Sequence, residues 1–243
     1  MGSDQKKEAR TLPAPLLLEE TDSTNRVLRQ MAARGNVPDG QCVIAAGQTA
    51  GRGRLGRGFF SAPGAGLYMS VYFETRDASD ALRYTLISAC AVCLSLEERG
   101  FSPRIKWVND IWLRGRKLCG ILCEKVPGGV VCGIGLNLKT PEGGFPEELR
   151  GIACALDDGT PALPLAERIL RHFLILRDNF DRVLEEYRSR MFLTGRRVLF
   201  GGEELLVLGV SAQGGLLVRD PSGRERELIS GEVTLHGASF EEE

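Results

Sequence analysis

Three short stretches of the 243-residue chain hold side chains suited to chemistry on an anion. The first, GQTAGRGRLGRG (47–58), combines five glycines with Arg52, Arg54 and Arg57, and no acidic residue lies between Gly40 and Phe73. Glycines admit positive φ and close backbone approach, and successive amides form anion-binding nests. Guanidinium groups add a planar fork matched to phosphate or carboxylate. The second stretch, IKWVNDIWL (105–113), sets Lys106, Asn109 and Asp110 among apolar residues. A lysine there must reach solvent or an anionic partner, whereas Asn-Asp is also an ordinary turn signal. The third, RKLCGILCE (116–124), places Lys117 at the exit of a tight turn, where its surroundings alone read as a solvated lysine. A fourth segment, DSTN (22–25), offers oxygens that cap a helix.

Within the first stretch, residues 51–56 spell G-x-G-x-x-G, the dinucleotide fingerprint. That fingerprint needs a strand running straight into the glycines and a helix leaving them. Here Gly47-Gln48-Thr49-Ala50 intervenes, and FFSAPGAG with Pro63 follows. The P-loop of nucleoside triphosphatases fails too, because Arg57-Gly58 stands where Lys-Ser/Thr is required. A solvated surface loop and a nucleic-acid backbone contact are the other readings of a Gly-Arg run. The near-neutral formal charge of −1 disfavours the second.

These residues need elements to hold them. Val27, Leu28 and Met31 form one face of a helix that starts at DSTN and stops at Gly35. CVIAA (42–46) reads as a buried strand and LYMSVYF (67–73) as an alternating one, with Leu67, Met69, Val71 and Phe73 on one side. Ser79 caps a helix to about Arg99, and a long helix runs from Pro164 to about Arg190. Between them lie strands at 104–107, 111–113, 118–126 and 130–138, joined as hairpins through RGRK and PGG. Beyond Met191 short strands alternate with glycine turns, which predicts a small β-barrel. The fold class is α+β, with a central mixed or antiparallel sheet packed by helices.

The apolar fraction of 43% suits a globular protein, and no apolar run approaches the roughly 20 residues needed to span a bilayer. The polar N-terminus has no apolar segment typical of a signal peptide, so a cytoplasmic location is expected. Cys90-Ala-Val-Cys93 has redox or zinc spacing, but its apolar neighbours favour small core residues.

Taken together and in order, DSTN (22–25), GQTAGRGRLGR (47–57), KWVND (106–110), RKLCGILCE (116–124) and GIGLN (133–137) resemble the biotin–protein ligase family. The likeness extends over about residues 17–236, with SGEVTL (230–235) resembling the end of that family's SH3-like β domain. One departure is Val108, where the family has proline.

The resemblance implies a class II synthetase-like catalytic domain over 1–190 and an SH3-like barrel over 191–243. It implies that biotin and Mg-ATP form biotinyl-5′-adenylate. The biotinyl group then passes to a lysine of a biotin carboxyl carrier domain, of acetyl-CoA carboxylase or a related enzyme. Both steps use nucleophiles supplied by the substrates, so the protein has chiefly to bring anions together and stabilise phosphate charge.

By the same resemblance Ser23, Thr24, Asn25 and Gln48 surround the biotin ring end. Gly51, Arg52, Gly53 and Arg54 form a loop over biotin and the adenylate, with Arg54 retaining the adenylate. Lys117 neutralises the biotin carboxylate and the α-phosphate, and Gly120 lets the backbone approach the ligand. Lys106, Asn109 and Asp110 contact phosphate, metal or the acceptor lysine; Mg²⁺ travels with ATP, with Asn109 or Asp110 as its contact.

About 20 residues precede DSTN, fewer than a DNA-binding domain of roughly 50 needs, so a ligase without DNA binding is expected. A homodimer is compatible with the likeness, although no residue points to one. A lipoate–protein ligase of the same architecture and a non-enzymatic phosphate- or RNA-binding module are the alternatives. The first would carry an Arg-Arg-x-Ser-Gly-Gly loop and a nearby histidine. Here no histidine precedes His172.

Overall fold

A computed structural model describes residues 12–35, 37–75 and 80–235. Strand β1 (Leu16–Thr21) leads through helix α1 (Thr24–Ala33) to β2 (Cys42–Gln48), and the two strands pair in parallel. A parallel pair needs such a crossover. The sequence reading missed β1, whose leucines are largely exposed at a sheet edge. Its ladder ends at Thr21↔Gln48, and the amides of Thr49 and Ala50 continue onto the carbonyls of Thr21 and Asp22. That pairing sets DSTN beside the start of the Gly-Arg segment.

The central sheet continues with β3 (Gly66–Glu74), β4 (Arg104–Lys106), β5 (Asp110–Leu113), β6 (Arg116–Val126) and β7 (Gly129–Asn137). Its order is β1-β2-β3-β7-β6-β5-β4, and every pair except β1–β2 is antiparallel, so the expected mixed sheet is present. Arg114-Gly115, with φ of 51° and 70°, closes the β5–β6 hairpin, and Pro127-Gly128 closes β6–β7.

The alternation of β3 separates the two faces of the sheet. Leu67, Met69, Val71 and Phe73 enter the main core beneath α2 (Asp80–Glu97) and α3 (Ala162–Leu176). Phe73 stacks on Phe173 with centroids 4.2 Å apart. On the other face Leu28 and Ala32 of α1 pack on Val43, Tyr72, Val126 and Val131. Ser70 points to this second face, as its bonds to Thr24 and Asn25 show. Ser79 lies outside the described residues, so the start of α2 is reported without its cap.

The single helix expected over 164–190 is two, α3 and α4 (Phe180–Arg190). Asn179 breaks it: its side chain accepts the Arg182 amide at 3.1 Å and starts the second helix. Cys90 and Cys93 are buried in α2, and burial pushes both thiols up, as for small core residues.

After α4 come β8 (Arg197–Phe200), β9 (Glu203–Val210), β10 (Leu216–Arg219), β11 (Glu225–Leu228) and β12 (Thr234–Leu235). They form an antiparallel sheet in the order β11-β10-β9-β8-β12. The closed barrel expected here is therefore an open sheet among the described residues, because two-residue β12 pairs with β8 alone. Val198, Leu205, Val207, Leu216 and Val218 join the main core. Trp107 Nε1 donates to the Gly214 carbonyl at 3.1 Å, and Arg188 donates twice to that of Val210. No helix among the described residues is long and apolar enough to cross a membrane.

Candidate active site

A cleft opens on the α1 face of the central sheet, over the middle of β3, β7 and β6. Its two ends differ in chemistry. At one end the start of α1 meets β2 and β3, and neutral polar side chains line the cleft. Gln48 Oε1 accepts the Thr24 amide at 2.9 Å and lies 3.2 Å from its hydroxyl, while Gln48 Nε2 donates to Ser61 Oγ at 2.9 Å. Ser70 Oγ lies 2.7 Å from Thr24 Oγ1 and 2.6 Å from Asn25 Oδ1. Asn25 Nδ2 donates to the Leu122 carbonyl at 3.1 Å and to Glu124 Oε2 at 2.9 Å. Ser23 occupies the N-cap position of α1 but makes no capping bond, and it lines the cleft.

The other end is charged. Lys117 Nζ lies 2.8 Å from Asp110 Oδ1, and Asn109 Nδ2 donates to that oxygen at 3.1 Å. Arg54 Nη1 donates to Asn109 Oδ1 at 3.1 Å. The Trp107–Val108 peptide is cis, and the Val108 carbonyl accepts the buried Tyr187 hydroxyl at 3.0 Å. The turn is further held by the Ile121 amide on the Asn109 carbonyl at 3.0 Å. With valine at 108, Asn109 is held by its carbonyl on the Ile121 amide and its Nδ2 on the Ile121 carbonyl.

Lys106, Arg52, Arg54, Arg57 and Lys117 face the cleft with only Asp110 and Glu232 as acids among its lining. The excess of cations draws anionic ligands. Burial depresses the Lys106 ammonium, against the opposing pull of Asp110 and Glu232. Glu232 is held below the usual carboxylate range: burial opposes its charge, but the Arg57 hydrogen bond and nearby lysines outweigh it.

The Gly-Arg segment roofs the cleft as a narrow hairpin. Gly53 donates to the Arg57 carbonyl and Phe59 to that of Gly51, both at 2.8 Å, with a bridge at Arg52↔Gly58. Leu55 sits at its tip with φ 55° and is 71% exposed. No helix follows; the chain reaches β3 directly, as the rejection of the dinucleotide reading requires. Phe59 lies across the floor where a methyl group on Gly135 would come within 2.4 Å of its ring and one on Gly120 within 3.0 Å. A side chain on either glycine would therefore have to displace the Phe59 ring.

A β-bulge decides where Lys117 points. Strict alternation along β6 from Gly120 would put Leu118 in the cleft and Lys117 in the core. Instead Ile111↔Cys119 is followed by Trp112↔Lys117, so Leu118 is the extra residue. Leu118 and Cys119 are both buried in the core, and Lys117 turns to the cleft.

Ser23, Thr24, Asn25, Gln48, Arg52, Gly53, Arg54, Lys106, Asn109, Asp110, Lys117 and Gly120 all line this one cleft. Gly51 does not; it backs onto the Phe59 carbonyl and Ser61, with no room for a side chain. Sequence reasoning named no role for Phe59, Ser70, Glu124 or Glu232. Glu124 ended one recognised motif and Glu232 lay inside another, and Ser70 was the one small polar residue on the second face of β3. Each needed its distant partner before a role was visible.

Residues 17–140 match the Biotin/lipoate A/B protein ligase family. The biotin–[acetyl-CoA-carboxylase] ligase of Mycobacterium tuberculosis is 33% identical over 238 residues, which span 89% of this chain and 87% of that one. The bifunctional ligase/repressor BirA of Bacillus subtilis is 33% identical over 70% of this chain; the match spans about half of that relative's length, 53%. Among solved structures, a biotin protein ligase from Aquifex aeolicus in complex with biotin and ATP aligns with a TM-score of 0.80 at 28% identity. It covers 93% of this chain and 100% of that one. A biotin protein ligase from Leishmania major in complex with biotinyl-5-AMP aligns with a TM-score of 0.66 at 26% identity, over 90% and 99% of the two chains.

Proposed function

The chain belongs to the biotin/lipoate A/B protein ligase family, and from that premise we propose that it is a biotin–protein ligase. It joins biotin to ATP and passes the biotinyl group to a lysine of a carrier domain of acetyl-CoA carboxylase or a related enzyme. The observation that carries this reading is the polarity of the one cleft: neutral polar side chains at one end, cations at the other, and glycine backbone between. A cyclic urea suits the first end, and a carboxylate meeting a triphosphate suits the second.

In the first step a biotin carboxylate oxygen bonds to the α-phosphorus and the α–β bond breaks, releasing pyrophosphate. Lys117 exchanges Asp110 for the two converging anions and lowers their repulsion. Arg54 leaves Asn109 to hold the adenylate, and Arg52 and Gly53 help form the lid above it. In the second step the carrier amine bonds to the acyl carbon and AMP leaves. Asp110, freed from Lys117, is the carboxylate suited to hold the acceptor ammonium and take its proton. Mg²⁺ enters with ATP as part of the substrate. Asp110 and Asn109 offer it oxygens, and among the described residues no group of three or more His, Cys, Asp or Glu gathers as a dedicated metal site. We take residues 1–190 as the catalytic unit and 191–243 as the module that supplies Glu232.

The chain should label a carrier domain with biotin in the presence of Mg-ATP. Labelling with lipoate alone, or with neither acid, would reject the proposal. In the same assay Lys117→Ala should slow biotin-dependent pyrophosphate release by at least about a hundredfold, the scale of losing a transition-state charge contact.

A further inference from the structure

We propose that Glu124 and Ser70 are positioning residues that set the hydrogen-bonding polarity of the neutral end of the cleft, so that it accepts from N–H donors. The inference rests on reading the cleft as a biotin site and extends it to how the ring is told apart from others. It follows from counting hydrogens. Two acceptors that cannot donate, the Leu122 carbonyl and the Glu124 carboxylate, face one end of the Asn25 amide at 3.1 and 2.9 Å. That end is therefore the NH₂ group, and its two hydrogens are both spent.

Asn25 Oδ1 then faces Ser70 Oγ at 2.6 Å and takes its only hydrogen. Ser70 Oγ also donates to Thr24 Oγ1 at 2.7 Å, sharing that hydrogen, and the Thr24 hydroxyl donates in turn to Gln48 Oε1 at 3.2 Å, beside the Thr24 amide at 2.9 Å. The Thr24 hydrogen is therefore spent inside the network. Thr24 Oγ1 is left with a lone pair toward the cleft and no hydrogen to donate there. The N–H groups of a cyclic urea match this edge; a disulfide ring, with no N–H to give, does not.

The relay begins at Glu124 because its other oxygen is fixed. Arg29 Nη1 and Arg52 Nη1 approach Oε1 at 2.9 and 3.3 Å, which turns Oε2 to Asn25. The absence of a side chain at Gly133 lets Asn25 sit here: a methyl group there would lie 2.2 Å from its Oδ1. Arg52 also belongs to the roof hairpin, so the same carboxylate ties the roof to the ring end.

The test uses the full chain and steady-state adenylation. Glu124→Gln keeps the shape but can turn an NH₂ toward Asn25 and reverse the relay. It should raise KM for biotin about tenfold, the scale of a charge-assisted hydrogen bond, with kcat and KM for ATP within about twofold of wild type. Ser70→Ala breaks the relay one link on and should raise the same KM to a similar degree. The double variant should be no worse than the poorer single one, because both cut a single chain. Wild type should reject biotin N-methylated on its ureido ring, and Glu124→Gln should reject it less strongly. Multiplicative effects of the two substitutions, unchanged discrimination against the methylated analogue, or losses confined to kcat or to thermal stability would overturn the relay. If wild type turns over lipoate but not biotin, the biotin reading falls first and the inference with it.

Discussion

Lys106 ends β4 with its ammonium 5.7 Å from the centre of the Trp112 ring, half-buried at the charged end of the cleft. Burial there disfavours the charged form and lowers its pKa from the ordinary 10.5, with Asp110 and Glu232 pulling the other way. The unfolded chain therefore binds this proton more tightly than the folded one. Stability rises with pH across the window from the folded value up to 10.5, and the cost is borne in full below it. On the proposed function, that cost is offset by the anionic ligand Lys106 faces. Lys106→Met should raise Tm near pH 7 by on the order of 2–4 °C per kcal/mol of relieved desolvation, while reducing adenylation. The gain should shrink as the pH approaches 10. A lower Tm in this variant would show that the lysine stabilises the fold. Its awkward setting was visible in IKWVND. What it faces was not, because Glu232 comes from the far end of the chain.

Among the elements, the roof hairpin depends on one glycine that does not line the cleft. A methyl group on Gly51 would lie 2.4 Å from the Phe59 carbonyl and 2.6 Å from Ser61 Oγ. Gly51→Ala should force the hairpin open, lower kcat/KM for biotin by at least about tenfold, and shift Tm by no more than about 2 °C, since a surface loop carries little of the core. Unchanged kinetics would show that the hairpin geometry is dispensable. The hairpin turns of β5–β6 and β6–β7 were legible because Gly115 and Gly128 mark them chemically. The bulge at Leu118 was not, because Leu-Cys carries no turn signal and the shift exists only against β5. The break at Asn179 was hidden for a related reason: apolar residues continue in helical spacing on both sides of it.

For the molecule as a whole, the second sheet does more than extend the core. Glu232, just before β12, bonds the roof residue Arg57 at 2.6 Å. The pair is largely exposed, so it contributes little to global stability and acts on a loop that is itself weakly held. Glu232→Gln should leave Tm within about 1 °C of wild type while speeding amide exchange across residues 51–58 about two- to fivefold. The difference should fade at high salt. Equal exchange in the two chains would remove the second sheet from any part in holding the roof. The change of texture after Met191 made an all-β segment legible. Whether it closes on itself depends on how β11 and β12 meet, and they lie at opposite edges of the sheet.

The sequence by itself determined the parts: a helix start with hydroxyls and an amide, a glycine-arginine run with no acids, lysines beside hairpin turns, and their order along the chain. These are local properties, set by side-chain type and by turns that only certain residues allow. Tertiary structure alone decided which parts meet. Asn25 and Glu124 stand 99 positions apart, and Arg57 and Glu232 stand 175 apart. Each pair is brought together by how strands and loops pack rather than by spacing. A hydrogen bond acts over about 3 Å. Which end of Asn25 donates, and therefore what the cleft accepts, is written only in that folded neighbourhood.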